Sequence, residues 1–352
     1  LETRLNWLVF GAGAIGTYIG SSLMLHGQKV AFLEQPAACT QLRERGFKLN
    51  IRRQDYRILQ PEVFPSLSDA LAFSSYDVII FALKSYDTQN ALESIRPCAA
   101  GLPPVLCLQN GVENESVLAS VLGTDKVIAA TITSSVGRRA AGDIVLERSR
   151  GVGVAAGHPL SSVIAAAFSD AELNVRLYPS AQSMKWSKML TNLLANASSA
   201  ILGMTPLEIL SHPDLYHVEI SQLREAIAVM RAQHIRPVNL PGTPVQIFAW
   251  LILHLSPTIS QPLISRIAGS GRGQKMPSFY LDLHSGSGKS EVDYLNGAVA
   301  RFGERLGIST PINHWLNQTL LSLTHGSLPL DKYTLHPDQF LKDVYSFTNK
   351  AL

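Results

Sequence analysis

Lys188, Asn192 and Asn196 recur at i, i+4 and i+8 in the run Lys-Met-Leu-Thr-Asn-Leu-Leu-Ala-Asn. On a helix this spacing lines one stripe. The residues between them, Met189, Leu190, Leu193 and Leu194, are apolar. A polar stripe on so apolar a helix is either solvated or aimed into a cleft. In a cleft, the lysine could give a proton or a hydrogen bond to a carbonyl that is becoming an alkoxide. The two amides could hold a carboxylate or a hydroxyl. Glu291 opens Glu-Val-Asp-Tyr-Leu-Asn-Gly, after the glycine-rich Ser285–Gly288. That places it near a helix N-terminus, where the dipole favours a carboxylate. It reads equally as a capping-turn acid and as a further polar group of the same site.

A second constellation sits at the start of the chain. Gly11, Gly13 and Gly16 form G-x-G-x-x-G in Gly-Ala-Gly-Ala-Ile-Gly. The string is weak alone, but here it follows an apolar strand and opens a helix. Gly11 allows the tight turn, Gly13 keeps the backbone bare for a pyrophosphate, and Gly16 lets helix and strand pack closely. The first helical turn, with Ala14 and Ile15, then offers N–H groups and a positive dipole end to the phosphates. The second strand ends at Glu34. An acid there can accept hydrogen bonds from the adenosine ribose and repel a 2′-phosphate, which favours NAD(H) over NADP(H). A solvent-facing strand-end carboxylate is the plainer alternative.

The elements that must position these residues follow from periodicity. Leu5–Phe10 is a short apolar strand. Ala14–His26 is a helix with Ile15, Ile19 and Leu23 at four-residue spacing, ended by Gly27. Lys29–Leu33, Asp77–Leu83, Pro104–Leu108 and Val127–Thr133 read as further strands. Asp77–Leu83 is continuous and apolar, as a strand buried on both faces should be. Helical stretches separate most of them, so the first half is an α/β, Rossmann-type doubly wound sheet. Asp143–Glu147 and Val152–Ala156 resemble a hairpin or a sheet edge. From Ala181 the periodicity is nearly all helical, with loops at Pro237–Gly242 and Gly269–Gln274. The expected division is a dinucleotide-binding domain over 1–179 and an all-α domain over 180–352.

Composition excludes several classes. Hydrophobic residues make up 46% and charged residues 16%, which fits a folded chain rather than a disordered one. A net charge of +3 over 352 residues does not call for a nucleic-acid partner. Cys39, Cys98 and Cys107 have no metal-pair spacing and read as buried free thiols, with no metal expected. The longest apolar stretch, Phe248–Leu255, is too short to cross a membrane, and no signal-peptide pattern precedes the first strand. A cytoplasmic enzyme is the expectation.

Together these pieces resemble the ketopantoate reductase (2-dehydropantoate 2-reductase) family along nearly the whole chain. The matching motifs are Gly-Ala-Gly-Ala-Ile-Gly at 11–16, Ala-Leu-Lys at 82–84 and Leu-Gln-Asn-Gly-Val at 108–112. Lys188, Asn192 and Asn196 match as well, as do Ser278-Phe-Tyr-Leu-Asp282 and Ser290-Glu-Val-Asp-Tyr-Leu-Asn-Gly297. The resemblance implies a Rossmann domain, a helical domain and a site in the cleft between them. It implies Lys188 as general acid and Glu291 as the group that orients substrate and lysine. Asn110 would position the nicotinamide ribose, and Lys84 would lie near the cofactor. Asn110, Asn192, Asn196 and Ser278 would meet the substrate.

Two departures from the family pattern bear on specificity. Members that use NADPH commonly carry arginine where this chain has Glu34, while Lys84 keeps a partner for a 2′-phosphate. The stretch Pro237–Gln274, rich in large apolar residues such as Trp250, Leu251, Ile252, Leu253 and Ile264, looks like an insertion. It is read as extra helix packing, a homodimer contact or a reshaped pocket. The expected reaction is reduction of a small 2-keto acid by NAD(P)H with Lys188 as acid. The alternatives are an NAD-dependent D-2-hydroxy acid dehydrogenase for other branched or aromatic 2-keto acids, and a non-catalytic dinucleotide-binding redox sensor.

Overall fold

A computed structural model describes residues 4–272 and 275–350. The chain divides into two compact units. One comprises Leu1–Lys185 with Leu240–Thr243, the other Trp186–Asn239 with Pro244–Leu352. The division falls inside the helix Ala181–Leu193.

The first unit is built on an eight-stranded sheet. Its order, edge to edge, is Val175–Tyr178, Val152–Ala155, Val127–Ile132, Val105–Cys107, Val78–Phe81, Asn6–Phe10, Lys29–Leu33 and Val63–Phe64. The last six of these are mutually parallel. Val152–Ala155 pairs antiparallel to Val127–Ile132 and carries Val175–Tyr178 beside it. The chain runs outward in opposite directions from Asn6–Phe10 and Val78–Phe81. That makes the crevice beyond their carboxyl ends the topological switch point, where such sheets take ligands.

Alternation along the strands explains their unbroken apolar runs. Trp7 and Val9 enter one core cluster, while Leu8 and Phe10 enter the other. Val78 and Ile80 likewise face away from Ile79 and Phe81. Both faces are buried, so no polar position alternates in.

A smaller sheet of four strands, in the order Gln54–Ile58, Phe47–Ile51, Asp143–Arg148 and Ser135–Ala140, also belongs to this unit. The helix Ala14–Leu25 packs against strands of both sheets. This is why its residues Gly16 to Leu23 are all buried. Asp143–Arg148 and Val152–Ala155 therefore do not form the expected hairpin. They are adjacent in sequence but lie in different sheets, because Asp143–Arg148 turns back on Ser135–Ala140, just before it, and pairs with Phe47–Ile51, while Val152–Ala155 pairs with Val127–Ile132 and Val175–Tyr178.

The second unit is helical. Its helices include Pro213–Ala232, Val245–His254, Pro257–Arg272, Val292–Leu306, Pro311–Thr324 and Pro337–Lys350. Gly269–Arg272 belongs to a helix rather than the expected loop, and Gly273 and Gln274 lie outside the described residues. The apolar stretch 245–264 splits its side chains. Leu251, Ile252 and Ile264 are buried, while Ile247, Trp250, Ile259 and Leu263 are exposed.

A polar network runs through this helical core. Asn296 donates to Gln222 and to Asn313, each at 3.0 Å. Asn313 donates to Glu225 at 2.7 Å, and the Ile312 and Asn313 N–H groups donate to the same carboxylate at 2.9 Å. Glu225 thus caps the helix Pro311–Thr324 from another element.

Burial pushes the Glu225 carboxyl up to about 7, against the pull of those donors. An acid whose folded value is raised contributes stability that is complete below its unfolded value and is lost as pH rises through the folded one. The stability difference between wild type and Glu225→Ala is therefore expected to shrink between about pH 4.5 and 7, by on the order of 3 kcal/mol. Urea melts of both proteins across that range test this. A difference that grows with pH would refute it.

Candidate active site

In the first unit, the glycine turn is shaped as a phosphate cradle. Gly11 has φ +99°, and a Cβ there would meet Leu83 Cδ2 at 2.7 Å. Only glycine fits that combination. A Cβ on Gly16 would sit 1.9 Å from the Gly11 carbonyl oxygen, inside the contact that brings helix onto strand. At Gly13, by contrast, a Cβ would meet nothing within 4 Å. The space above Gly13 is open, as a bound pyrophosphate requires. Gly13 is also the N-cap of Ala14–Leu25, and no side chain caps that end. The first-turn backbone at Ala14, Ile15 and Gly16 thus fits a dinucleotide.

Glu34 follows the strand Lys29–Leu33. Its carboxylate accepts the Ala12 N–H at 2.8 Å and the Gln35 N–H at 2.9 Å. The acid is therefore tied to the glycine turn itself. It does not simply face solvent.

Lys84 and Asn110 lie at the carboxyl ends of neighbouring strands, Val78–Phe81 and Val105–Cys107. The Asn110 carbonyl accepts from Ser85 Oγ at 3.1 Å and from Asn114 Nδ2 at 2.5 Å. Gln109 Nε2 donates to the Leu83 carbonyl at 3.2 Å and to Thr88 Oγ1 at 2.8 Å. The two strand ends are thereby locked to each other.

Lys185 was not singled out by sequence. Its ammonium is buried and lies 2.6 Å from Glu115 Oε1, with donation to the Gln109 carbonyl at 2.6 Å. Burial works most strongly against its charge, but the attraction and hydrogen bond of the Glu115 carboxylate, with Cys107 adding to them, together raise its pKa above the ordinary value. Cys107, nearby, is also buried, and burial raises its thiol well above the usual range. Cys39 is buried as expected, whereas Cys98 is only half-buried. No local signal connects Lys185 with Glu115, because the pair closes across the fold.

In the second unit, Lys188 and Asn192 lie on the helix Ala181–Leu193, but Asn196 does not. Ala195 has φ +51°, which ends the helix, and Asn196 is the N-cap of the next one, Ala197–Leu202. The single i, i+4, i+8 stripe is therefore corrected to two residues on one helix and one beyond a left-handed break. The break follows from a buried acceptor: Glu219 Oε2 takes the Ala195 N–H at 2.6 Å. Asn192 and Asn196 are buried and Lys188 is half-buried, so the asparagines are not solvated.

Asn196 joins distant segments. Its Nδ2 donates to the Asn192 carbonyl at 3.1 Å and reaches Ser278 Oγ at 3.5 Å, and its Oδ1 accepts the Phe279 N–H at 3.2 Å. Glu291 is buried at the N-cap position of Val292–Leu306, yet its side chain makes no capping bond. Ser290 Oγ takes the Val292 N–H instead, at 3.2 Å. The capping-turn reading therefore does not account for the Glu291 carboxylate.

Among the described residues no group of three or more His, Cys, Asp or Glu could hold a metal ion. No helix among them is long and apolar enough to cross a membrane.

Comparison with known proteins bears directly on this arrangement. The profile described as "Ketopantoate reductase PanE/ApbA" matches residues 7–157, and its C-terminal counterpart matches residues 180–324. The chain belongs to the ketopantoate reductase PanE/ApbA family. It is a 2-dehydropantoate 2-reductase-like oxidoreductase, with a Rossmann-like first half and a helical second half. The 2-dehydropantoate 2-reductase of Archaeoglobus fulgidus is 26% identical over 326 residues, 90% of this chain and 96% of the relative. That of Halobacterium salinarum is 25% identical over 317 residues, 87% of this chain and 94% of the relative. Among solved structures, a PanE/ApbA family ketopantoate reductase from Ralstonia eutropha superposes with a TM-score of 0.77 at 25% identity, over 91% of this chain and 99% of that one. D-mandelate dehydrogenase, solved with NADH and anilino(oxo)acetate, shares the fold at TM-score 0.75 and 21% identity, over 91% of this chain and 99% of that one.

Proposed function

We propose that this family member reduces a small 2-keto acid to the 2-hydroxy acid, with Lys188 as general acid and NADH as the preferred reductant. The observation that carries the reading is the junction at Asn196. One buried amide ties the helix of Lys188 and Asn192 to Ser278, 82 residues away. A packing-only helix break needs no such polar convergence.

A bound nicotinamide supplies the hydride. The residues supply everything else. Asn192, Asn196 and Ser278 hold the carboxylate and hydroxyl of the substrate. Asn110 would position the nicotinamide ribose, and Lys84 would lie beside the cofactor. Lys188 gives its proton to the oxygen that becomes the alkoxide, and Glu291 orients substrate and lysine. Gly11, Gly13, Ala14, Ile15 and Gly16 would receive the pyrophosphate at the helix N-terminus.

Glu34 supports NADH. Its carboxylate already accepts the Ala12 N–H, so a 2′-phosphate brought there would face a fixed negative charge. The ratio of kcat/KM for NADH to that for NADPH is expected to exceed 1, and Glu34→Gln is expected to lower it by about tenfold. A wild-type preference for NADPH would sink this assignment.

The test of the whole reading is NADH and NADPH oxidation with a panel of branched and aromatic 2-keto acids, ketopantoate among them. Turnover with ketopantoate supports a 2-dehydropantoate reductase. Turnover only with aromatic members supports a D-2-hydroxy acid dehydrogenase, in line with the D-mandelate dehydrogenase that shares the fold. NADH binding without turnover on any member would leave a dinucleotide sensor.

A further inference from the structure

The buried Lys185–Glu115 pair has no place in the reaction, yet it touches the strand end that the cofactor reading needs. We infer that Lys185, paired with Glu115, is a positioning residue that holds the Gln109–Asn110 strand end for the nicotinamide half of the dinucleotide. The inference rests on the cofactor reading above.

Three observations carry it. First, the ammonium is spent on this strand end. Its side chain is 5% exposed, and it donates to the Gln109 carbonyl at 2.6 Å and to the Ala130 carbonyl at 3.3 Å while facing Glu115 at 2.6 Å. An ion taken so far out of water is costly unless every donor is used, so its acceptors define its role. Second, Gln109 is the residue immediately before Asn110. The Asn110 carbonyl is held in turn by Asn114 and Ser85, so Lys185 completes a clamp on consecutive peptide groups. Third, the location separates two halves of a ligand. The glycine turn and Glu34 lie on one side of the switch point, with the strands Asn6–Phe10 and Lys29–Leu33. Asn110 lies on the other side, past Val78–Phe81. A dinucleotide lying across that point puts its adenosine over the first pair and its nicotinamide over the second.

Binding of NADH and of ADP separates this role from general support of the fold. ADP ends at the pyrophosphate and meets only the glycine-turn side. In Lys185→Met/Glu115→Gln no charge is left unpaired, but the Gln109 carbonyl has lost its donor. This variant is expected to raise the Kd for NADH by about tenfold or more, with the Kd for ADP within about twofold of wild type. Lys185→Met alone carries the same expectation. Glu115 is 19% exposed there and can take water in place of the ammonium, so either variant that folds decides the matter. An unchanged Kd for NADH, or parallel weakening of NADH and ADP, overturns the positioning role. A wild-type protein that binds neither ligand overturns the cofactor reading and this inference together.

Discussion

Replacing Lys188 by alanine is expected to lower kcat for 2-keto acid reduction by roughly 10²–10⁴-fold, while the Kd for NADH stays within about threefold of wild type. The magnitude is that of a general acid removed from a transition state in which charge develops on the substrate oxygen. On the proposed reading, the effect falls on the chemistry more than on packing. It is half-buried, and its neighbours Met189 and Leu190 are the ones that anchor the helix in the core. The side chain can therefore be truncated with little change in packing. Binding interactions with the substrate should separate from it. Asn192→Ala should act chiefly on KM, since an amide that holds the carboxylate does so in ground and transition states alike. Steady-state and NADH-binding measurements on both variants check this. A Lys188→Ala enzyme with wild-type kcat would remove Lys188 from the reaction.

The second large effect is on stability and arises at Glu219. Glu219→Ala is expected to lower the stability of the helical unit by about 3–5 kcal/mol. The carboxylate is fully buried. It accepts the Ala195 N–H at 2.6 Å and Gln222 Nε2 at 2.5 Å through one oxygen, and the Ser198 hydroxyl through the other. Removing it strands these donors away from water and leaves a cavity. It also releases the left-handed turn at Ala195, where a non-glycine residue stays only because its surroundings hold it. Since that turn sets where Asn196 begins the next helix, the variant should lose substrate affinity even at temperatures where it remains folded. Chemical denaturation with a fluorescence readout is the check. A melt coincident with wild type would show that the turn needs no such acceptor.

Much of the architecture was legible in the chain. Periodicity located five of the six mutually parallel strands, because a strand buried on both faces must be apolar throughout, as Val78–Phe81 is; the two-residue strand Val63–Phe64 is too short to show a pattern. The glycine turn was legible for a local reason too. Gly11, Gly13 and Gly16 lie within six residues between an apolar strand and a helix, although the side chain that bars a Cβ at Gly11, Leu83, lies far along the chain. The small four-stranded sheet was not legible. Its strands come from two distant stretches and carry exposed polar positions such as Lys48, Arg57 and Arg138, so no apolar run announces them.

Sequence by itself determined the candidate residue types: a lysine, two asparagines, a serine and a glutamate in the second unit, and the glycine turn with Glu34, Lys84 and Asn110 in the first. Tertiary structure decided how they are held. It broke the lysine–asparagine stripe at Ala195, because Glu219, 24 residues further on, captured that N–H. It tied Glu34 to the glycine turn through Ala12, 22 residues away. It buried Lys185 against Glu115 and the strand end beside Asn110, 76 residues from Gln109. The reason is common to all three. A buried polar group must find its partner wherever the fold brings one, and that partner's distance along the chain leaves no periodicity to read.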